Sequence, residues 1–213
     1  MTRWAMVVDL RKCIGCETCT AVCNQVNHPT SAAWRRIVEC FVPGGNETRR
    51  VFVPLSCMQC QHPPCLDVCP TGATYQRPDG IVGIHRERCV GCGYCVLACP
   101  YMARSIASPG GPAYVDVNKL GDGQGDGAAD VLGVSEKCSF CHTLVEDGLR
   151  CGLKPGLDPE ATPACVVSCA AVALHFGDLN HPASNVSRLL RENKTIQLHE
   201  DLGTDPSIFY VVE

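Results

Sequence analysis

Apolar residues along this chain come in short runs rather than long periodic stretches. Ala5 to Val8 and Ile81 to Ile84 are compact β-forming runs, and Asp79-Gly80 before the second is a turn signal. Each run leads into a cysteine-rich loop, so a short strand is predicted at each. Thr20 to Cys23 and Val96 to Cys99 fit one helical turn, and Pro70 and Pro100 are placed to end such turns. Pro182 to Glu192 predicts one amphipathic helix, with Val186, Leu189 and Leu190 on one face. Two stretches lack an apolar pattern and predict exposed loops. One is Ser108 to Asp130, which contains Pro109-Gly110-Gly111-Pro112 and a Gly-Asp run; the other is Gly152 to Pro163. Thr195 to Glu213 is expected to lie as a tail across the body. The longest apolar stretch, Ala164 to Leu174, is broken by Ser168 and stops at His175. It falls short of the ~20 residues a bilayer span needs, so no direct membrane span is expected.

Composition narrows the class. Of 213 residues, 18 are cysteine, and the aromatic share of 6% is too low for aromatic packing to dominate the core. The formal charge of −4 is spread without a basic stripe, which argues against a nucleic-acid surface. Arg3 precedes a short apolar run, but Asp9 ends it and Cys13 follows, which is not the pattern of a signal peptide. Arg35-Arg36 and Arg49-Arg50 are internal and do not form a twin-arginine export signal. Cysteine this dense implies disulfides, zinc or iron–sulfur clusters, and a chain of this length without an export signal disfavours a disulfide scaffold.

Spacing separates the other two. Cys13, Cys16, Cys19 and Cys23 form a first group, spaced C-x2-C-x2-C-x3-C. Cys57, Cys60, Cys65 and Cys69 form a second, and Cys89, Cys92, Cys95 and Cys99 a third with the spacing of the first. Cys138, Cys141, Cys165 and Cys169 form a fourth with a long insert, leaving Cys40 and Cys151 over. A shift of 76 residues superposes groups one and three, bringing Gly15 onto Gly91; a shift of 100 brings Cys65 and Cys69 onto Cys165 and Cys169. A tight cysteine triplet plus one is the bacterial-ferredoxin pattern, in which the fourth cysteine ligates the other cluster of a pair, whereas tetrahedral zinc needs two separated pairs. The crossover rule then gives four 4Fe-4S clusters. Cluster A takes Cys57, Cys60, Cys65 and Cys99, and cluster B takes Cys69, Cys89, Cys92 and Cys95. Cluster C takes Cys13, Cys16, Cys19 and Cys169, and cluster D takes Cys23, Cys138, Cys141 and Cys165. The expected fold is α+β: two pseudo-symmetric bacterial-ferredoxin-like modules with short strands, cysteine loops and long surface insertions. Residues 1–56 with 101–180 would make the outer module, 57–100 the inner one, and 181–213 a C-terminal helix and tail. Because metal binding of this kind is folding free energy, the apo chain is not expected to fold.

Four such groups in this order, with the insert in the fourth, resemble the four-cluster electron-transfer subunit of molybdopterin oxidoreductases. That family includes subunits of dimethyl sulfoxide, polysulfide, tetrathionate and arsenate reductases. The resemblance extends to Met6-Val7-Val8-Asp9, Trp34-Arg35-Arg36, Cys99-Pro100-Tyr101, Lys137-Cys138, Pro163-Ala164-Cys165, Gly177-Asp178-Leu179 and Val186-Ser187-Arg188-Leu189-Leu190. Gly148 to Cys165 looks like subunits of phenylacetyl-CoA acceptor oxidoreductase type. Cys92 stands where nitrate-reductase relatives place a tryptophan, which favours a four-iron cluster there, and Ala170 stands where a proline commonly follows the last cysteine. The resemblance implies a non-catalytic electron-transfer subunit. Its partners would be a large molybdenum (or tungsten) pterin catalytic subunit and a quinone-reactive membrane anchor subunit. The complex would be membrane-associated through these partners, on the cytoplasmic face or co-exported to the periplasmic face. The same subunit type serving a hydrogenase, and a free polyferredoxin, are the alternatives.

Other side chains have two readings each. Lys12, Arg88 and Lys137, each just before a first cysteine, are solvated charges or cations that raise a cluster's potential. Trp34, Arg35 and Arg36 read as packing and surface charge, or as a docking point. His62 and His142 beside the ligands read as packing or solvent contact, and Cys40 and Cys151 as free thiols.

Overall fold

The computed structural model describes residues 1–44, 47–108 and 133–212. The glycine- and aspartate-rich stretch expected as an exposed loop therefore lies, from residue 109 onward, outside the described residues. In chain order come β1 (Trp4–Asp9), α1 (Thr18–Asn27), β2 (Arg36–Gly44), β3 (Glu47–Leu55), α2 (Pro64–Asp67), β4 (Thr74–Gln76), β5 (Val82–Ile84) and α3 (Tyr94–Leu97). Then follow β6 (Ser105–Ile106), β7 (Ser135–Glu136), α4 (His142–Arg150), α5 (Ala164–Val167), β8 (Leu174–Asp178), α6 (Asn185–Glu192), β9 (Thr195–Ile196) and β10 (Ile208–Val211). Helices and strands are mixed, as an α+β fold requires.

The central sheet has the order β8-β1-β10-β9. β1 pairs antiparallel with β8 and parallel with β10, with Met6 opposite Phe176 on one side and Ile208 on the other. β1 is buried along its whole length, so both of its faces must pack. Trp4, Met6 and Val8 join Phe140, Phe176, Tyr210 and five of the cysteines in the main core. Val7 points the other way, onto Val186 and Val211, with Leu189 and Leu190 of α6 beside them. The predicted C-terminal helix thus covers the far side of the sheet. Ser184 caps it, its Oγ accepting from Ser187 N–H at 3.1 Å.

Two sequence expectations change here. Thr195 onward is not a tail laid across the body: it supplies β9 and β10, and β10 sits between β1 and β9 in the sheet. The second change concerns 36–55, where β2 and β3 form a hairpin in register from Arg36↔Leu55 to Gly44↔Glu47. The helical turn expected at Thr20–Cys23 is part of a longer α1. It runs on through Asn24 to Asn27, whereas α2, α3 and α5 stop before the last cysteine of their groups, at Asp67, Leu97 and Val167, with or without a proline after that cysteine.

Candidate metal centres

Each cysteine group is a loop followed by a helical turn. In every group the second residue after the first cysteine has a positive φ: Gly15 at 70°, Gln59 at 48°, Gly91 at 68° and Phe140 at 56°. This left-handed step curls the loop around its own centre. The third cysteine then lies on a short helix, Cys19 on α1, Cys65 on α2, Cys95 on α3 and Cys165 on α5. Ala170 does not disturb the pattern, because α5 stops at Val167, as α3 stops at Leu97.

The thiols gather in four sets. Cys13, Cys16, Cys19 and Cys169 line one small cavity. Cys69, Cys89, Cys92 and Cys95 line a second of similar size. Cys23, Cys138, Cys141 and Cys165 line a third, together with Arg35 and Phe140. Cys60 lies within electrostatic reach of Cys57, Cys65 and Cys99, which makes the fourth set. In each, three cysteines come from one group and one arrives from a distant group. Among the described residues no three His, Cys, Asp or Glu side chains close on a single ion position. Thiols that stand around a space suit a polynuclear iron–sulfur core better than one tetrahedral ion.

Backbone donors point at the sulfurs. Thr74 N–H donates to Cys69 Sγ at 3.4 Å, Ala103 N–H to Cys99 Sγ at 3.5 Å, and Ala173 N–H to Cys169 Sγ at 3.3 Å. These follow a left-handed residue three positions after the cysteine, Gly72, Met102 and Val172 respectively. In group one the helix continues instead, and the Asn27 side-chain amide donates to Cys23 Sγ at 3.5 Å. Burial pushes the Cys19 thiol up to about 11, and the Cys23 and Cys60 thiols up to about 12. Cys69 is a contrast: burial pushes it up, but hydrogen bonds from Thr74 and Thr71 outweigh this and bring it down to about 7. Without metal, the buried thiols would stay protonated. Ligation therefore has to displace those protons, and the backbone donors then stabilise the thiolates.

The profile of the 4Fe-4S dicluster domain family matches residues 48–110. Across nearly its whole length the chain is similar to subunits of several reductases. It is 39% identical to a Halobacterium salinarum protein described as a dimethyl sulfoxide reductase iron-sulfur subunit, over 99% of this chain and 79% of that one. It is 34% identical to a selenate reductase subunit of Mesobacillus selenatarsenatis, over 98% of this chain and 72% of the relative. With a tetrathionate reductase subunit of Salmonella typhimurium the identity is 36%, over 98% and 72%. The chain belongs to the 4Fe-4S electron-transfer subunits of the molybdopterin oxidoreductases.

In this iron–sulfur subunit the flanking side chains divide differently from the sequence expectation. Lys12 and Arg88 are exposed, as solvated charges would be. Lys137 is not: it is buried, and its Nζ donates to the carbonyls of Val82 and Cys138. Arg35 is likewise no surface charge or docking point, because it is fully buried between α1 and β2. Arg36 is half-buried and donates to the carbonyls of Tyr101 and Met102, both at 3.0 Å, bracing the chain just after Cys99. His62 is exposed; His142 is half-buried at the start of α4, and burial lowers its pKa. Cys40 sits in β2 and Cys151 is exposed at the end of α4, neither in a thiol set. Asn27, Arg104 and Gln59 carry no signal in the sequence. Arg104 and Gln59 act on cysteine groups distant in the chain, while Asn27 reaches Cys23 one turn back on α1, a contact that depends on the helix running past the last cysteine.

Proposed function

We propose that the subunit holds four 4Fe-4S clusters and relays single electrons between a molybdenum (or tungsten) pterin catalytic subunit and a quinone-reactive membrane subunit. The observation that carries this is the gathering of sixteen cysteines into four sets, each with three members from one group and one from a distant group. The ligand sets are those given by the crossover rule. Cys57, Cys60, Cys65 and Cys99 hold cluster A, and Cys69, Cys89, Cys92 and Cys95 hold cluster B. Cys13, Cys16, Cys19 and Cys169 hold cluster C, and Cys23, Cys138, Cys141 and Cys165 hold cluster D. When bound, such a cluster supplies a one-electron couple whose potential depends on charge, hydrogen bonds to sulfur and exposure. The chain's own contribution is to space the thiols, aim N–H groups at them and exclude water.

Recurrence of the left-handed step and short helix in all four groups supports two pseudo-symmetric ferredoxin-like modules, an inner one around 57–100 and an outer one built from 1–56 and 101–180. The chain carries no substrate chemistry in this reading, and substrate binds in the larger partner. That relatives are named as subunits of selenate and tetrathionate reductases supports a multi-subunit reductase. Among the described residues no helix is long and apolar enough to cross a membrane. Attachment would come through the quinone-reactive partner, on the cytoplasmic face or exported with a partner. The test is metal analysis of the complex purified anaerobically from its source. A ratio of about 16–20 iron per molybdenum or tungsten is expected, from four clusters here and at most one more in the partner. Sixteen irons with neither metal would overturn the reading.

A further inference from the structure

Two arginines are buried with no ion-paired carboxylate among the described residues. Arg35 is 1% exposed and Arg104, between α3 and β6, is 6% exposed. Arg35 Nη2 donates to Met6 Sδ at 3.1 Å and to Ser56 Oγ at 3.3 Å, both neutral acceptors, and its Nη1 has no partner. Arg104 Nη1 donates to Thr74 Oγ1 at 3.2 Å and to Ser135 Oγ at 3.5 Å, and its Nη2 has no partner among the described residues. Among the described residues, neither enters an ion pair with Asp or Glu. A guanidinium stays charged in proteins, and a buried charge without a counter-charge is among the costliest arrangements a fold can hold.

What faces these cations is sulfur. Arg35 lies among Cys19, Cys23, Cys138 and Cys165, and Arg104 among Cys57, Cys65 and Cys95. On the ligand sets proposed above, Cys19 belongs to cluster C and the other three neighbours of Arg35 to cluster D. Cys57 and Cys65 belong to cluster A, and Cys95 to cluster B. Each arginine is therefore within electrostatic reach of thiols from both members of one pair, and Arg35 lines the cavity of the Cys23, Cys138, Cys141 and Cys165 set. The cysteine repeat does not relate them, since the shift of 76 residues carries Arg35 to Gly111. Lys137 is a third buried cation; its Nζ donates to the carbonyls of Val82 and Cys138, and its charge lies within reach of Cys65.

We propose that Arg35 and Arg104 are the internal counter-cations of the outer and inner cluster pairs, each shared by two clusters and raising the reduction potential of both. The proposal rests on the four-cluster reading. With four thiolates, a cluster carries about −2 oxidised and about −3 reduced, so a fixed positive charge nearby favours the reduced form. Burial keeps water and salt from screening the interaction. The guanidinium also offsets repulsion between two anionic clusters held close together. These are positioning residues for charge and have no part in substrate chemistry.

The test uses the whole complex, purified anaerobically, with Arg35→Met, Arg104→Met and the corresponding lysine variants. Iron content is measured first, and potentials then follow from a redox titration monitored by electron paramagnetic resonance. Arg35→Met with full iron is expected to lower the potentials of the outer pair, with a drop of about tenfold in the equilibrium constant for reduction, or about 59 mV for a one-electron couple. The inner pair stays unmoved. Arg104→Met is expected to do the reverse, and each lysine variant to restore most of the shift. Full iron with unchanged potentials in both methionine variants would overturn the proposal. Where a methionine variant loses iron, the lysine variant decides: retained clusters support the charge role, and loss there too means that guanidinium packing is the requirement, which overturns it. The titration does not depend on the partner's metal, so failure of the pterin-partner reading would be seen separately in the molybdenum analysis.

Discussion

The left-handed residue inside each cysteine loop is solved in two ways. Groups one and three use glycine, which adopts positive φ without penalty. Groups two and four hold Gln59 and Phe140 there, at a cost of about 1–2 kcal/mol each. Both are almost fully buried and anchored by what they touch. Gln59 donates to the Cys138 carbonyl at 2.7 Å and accepts from Val82 N–H at 2.8 Å, while Phe140 packs edge-on to Phe176 at 5.6 Å. Such strain persists only where the surroundings over-determine it. The glycines are not equivalent either. A Cβ on Gly91 would meet the Gly133 carbonyl oxygen at 2.1 Å, whereas one on Gly15 would meet the Phe52 ring at 2.5 Å. A ring can swing aside and a backbone carbonyl cannot. Gly91→Ala is therefore expected to lose one cluster, about four irons per chain, and Gly15→Ala to keep all or most of its iron. Equal losses in an iron assay of the two variants would contradict this. Gly15 and Gly91 are legible in the sequence; Gln59 and Phe140 are not, because a positive φ at those residues depends on distant partners.

At the level of elements, the informative case is β10. The sequence pattern puts its four residues in a loose tail, yet Ile208, Tyr210 and Val211 are buried and Tyr210 donates to the Pro54 carbonyl at 3.0 Å. A run as short as Ile-Phe-Tyr-Val carries no signal that tells an exposed strand from one inserted beside β1. Burying three such side chains contributes roughly 5–9 kcal/mol, comparable to the net stability of a whole domain. Truncation after Ser207 is expected to abolish stable cluster loading, measured as iron per chain and as loss of the visible chromophore. Normal loading in the truncated chain would mean that the β8–β1 pair holds alone. The β2–β3 hairpin is legible in principle: a Gly-Asn pair separates two β-rich runs, which is a hairpin signal. Its strands carry prolines and arginines among the apolar residues, which weakens the alternation that would otherwise mark them.

For the whole molecule, the core is partly made of the proposed ligands. Cys19, Cys57, Cys60, Cys138 and Cys165 share one buried cluster with Trp4, Met6, Phe140, Phe176 and Tyr210. Removing iron would leave cavities ringed by thiols, beside two guanidiniums stripped of counter-charge. The apo chain is expected to lack cooperative unfolding, as judged by calorimetry after anaerobic iron chelation; a sharp transition in the apo protein would refute this. The chemistry is legible in the amino-acid order alone: cysteine type and spacing are local properties, and iron–sulfur ligation needs little more than three thiols on one loop and a fourth on a turn. Also legible were β1 and α6, whose signals lie within a few consecutive residues, and the presence, though not the bounds, of the helical turns at Thr20–Cys23 and Val96–Cys99. That Arg35 and Arg104 lie among thiols, that Lys137 is buried, and that the last strand enters the sheet follow from the folded arrangement alone. A charged residue's environment, and a strand's place in a sheet, are set by segments far apart in the chain.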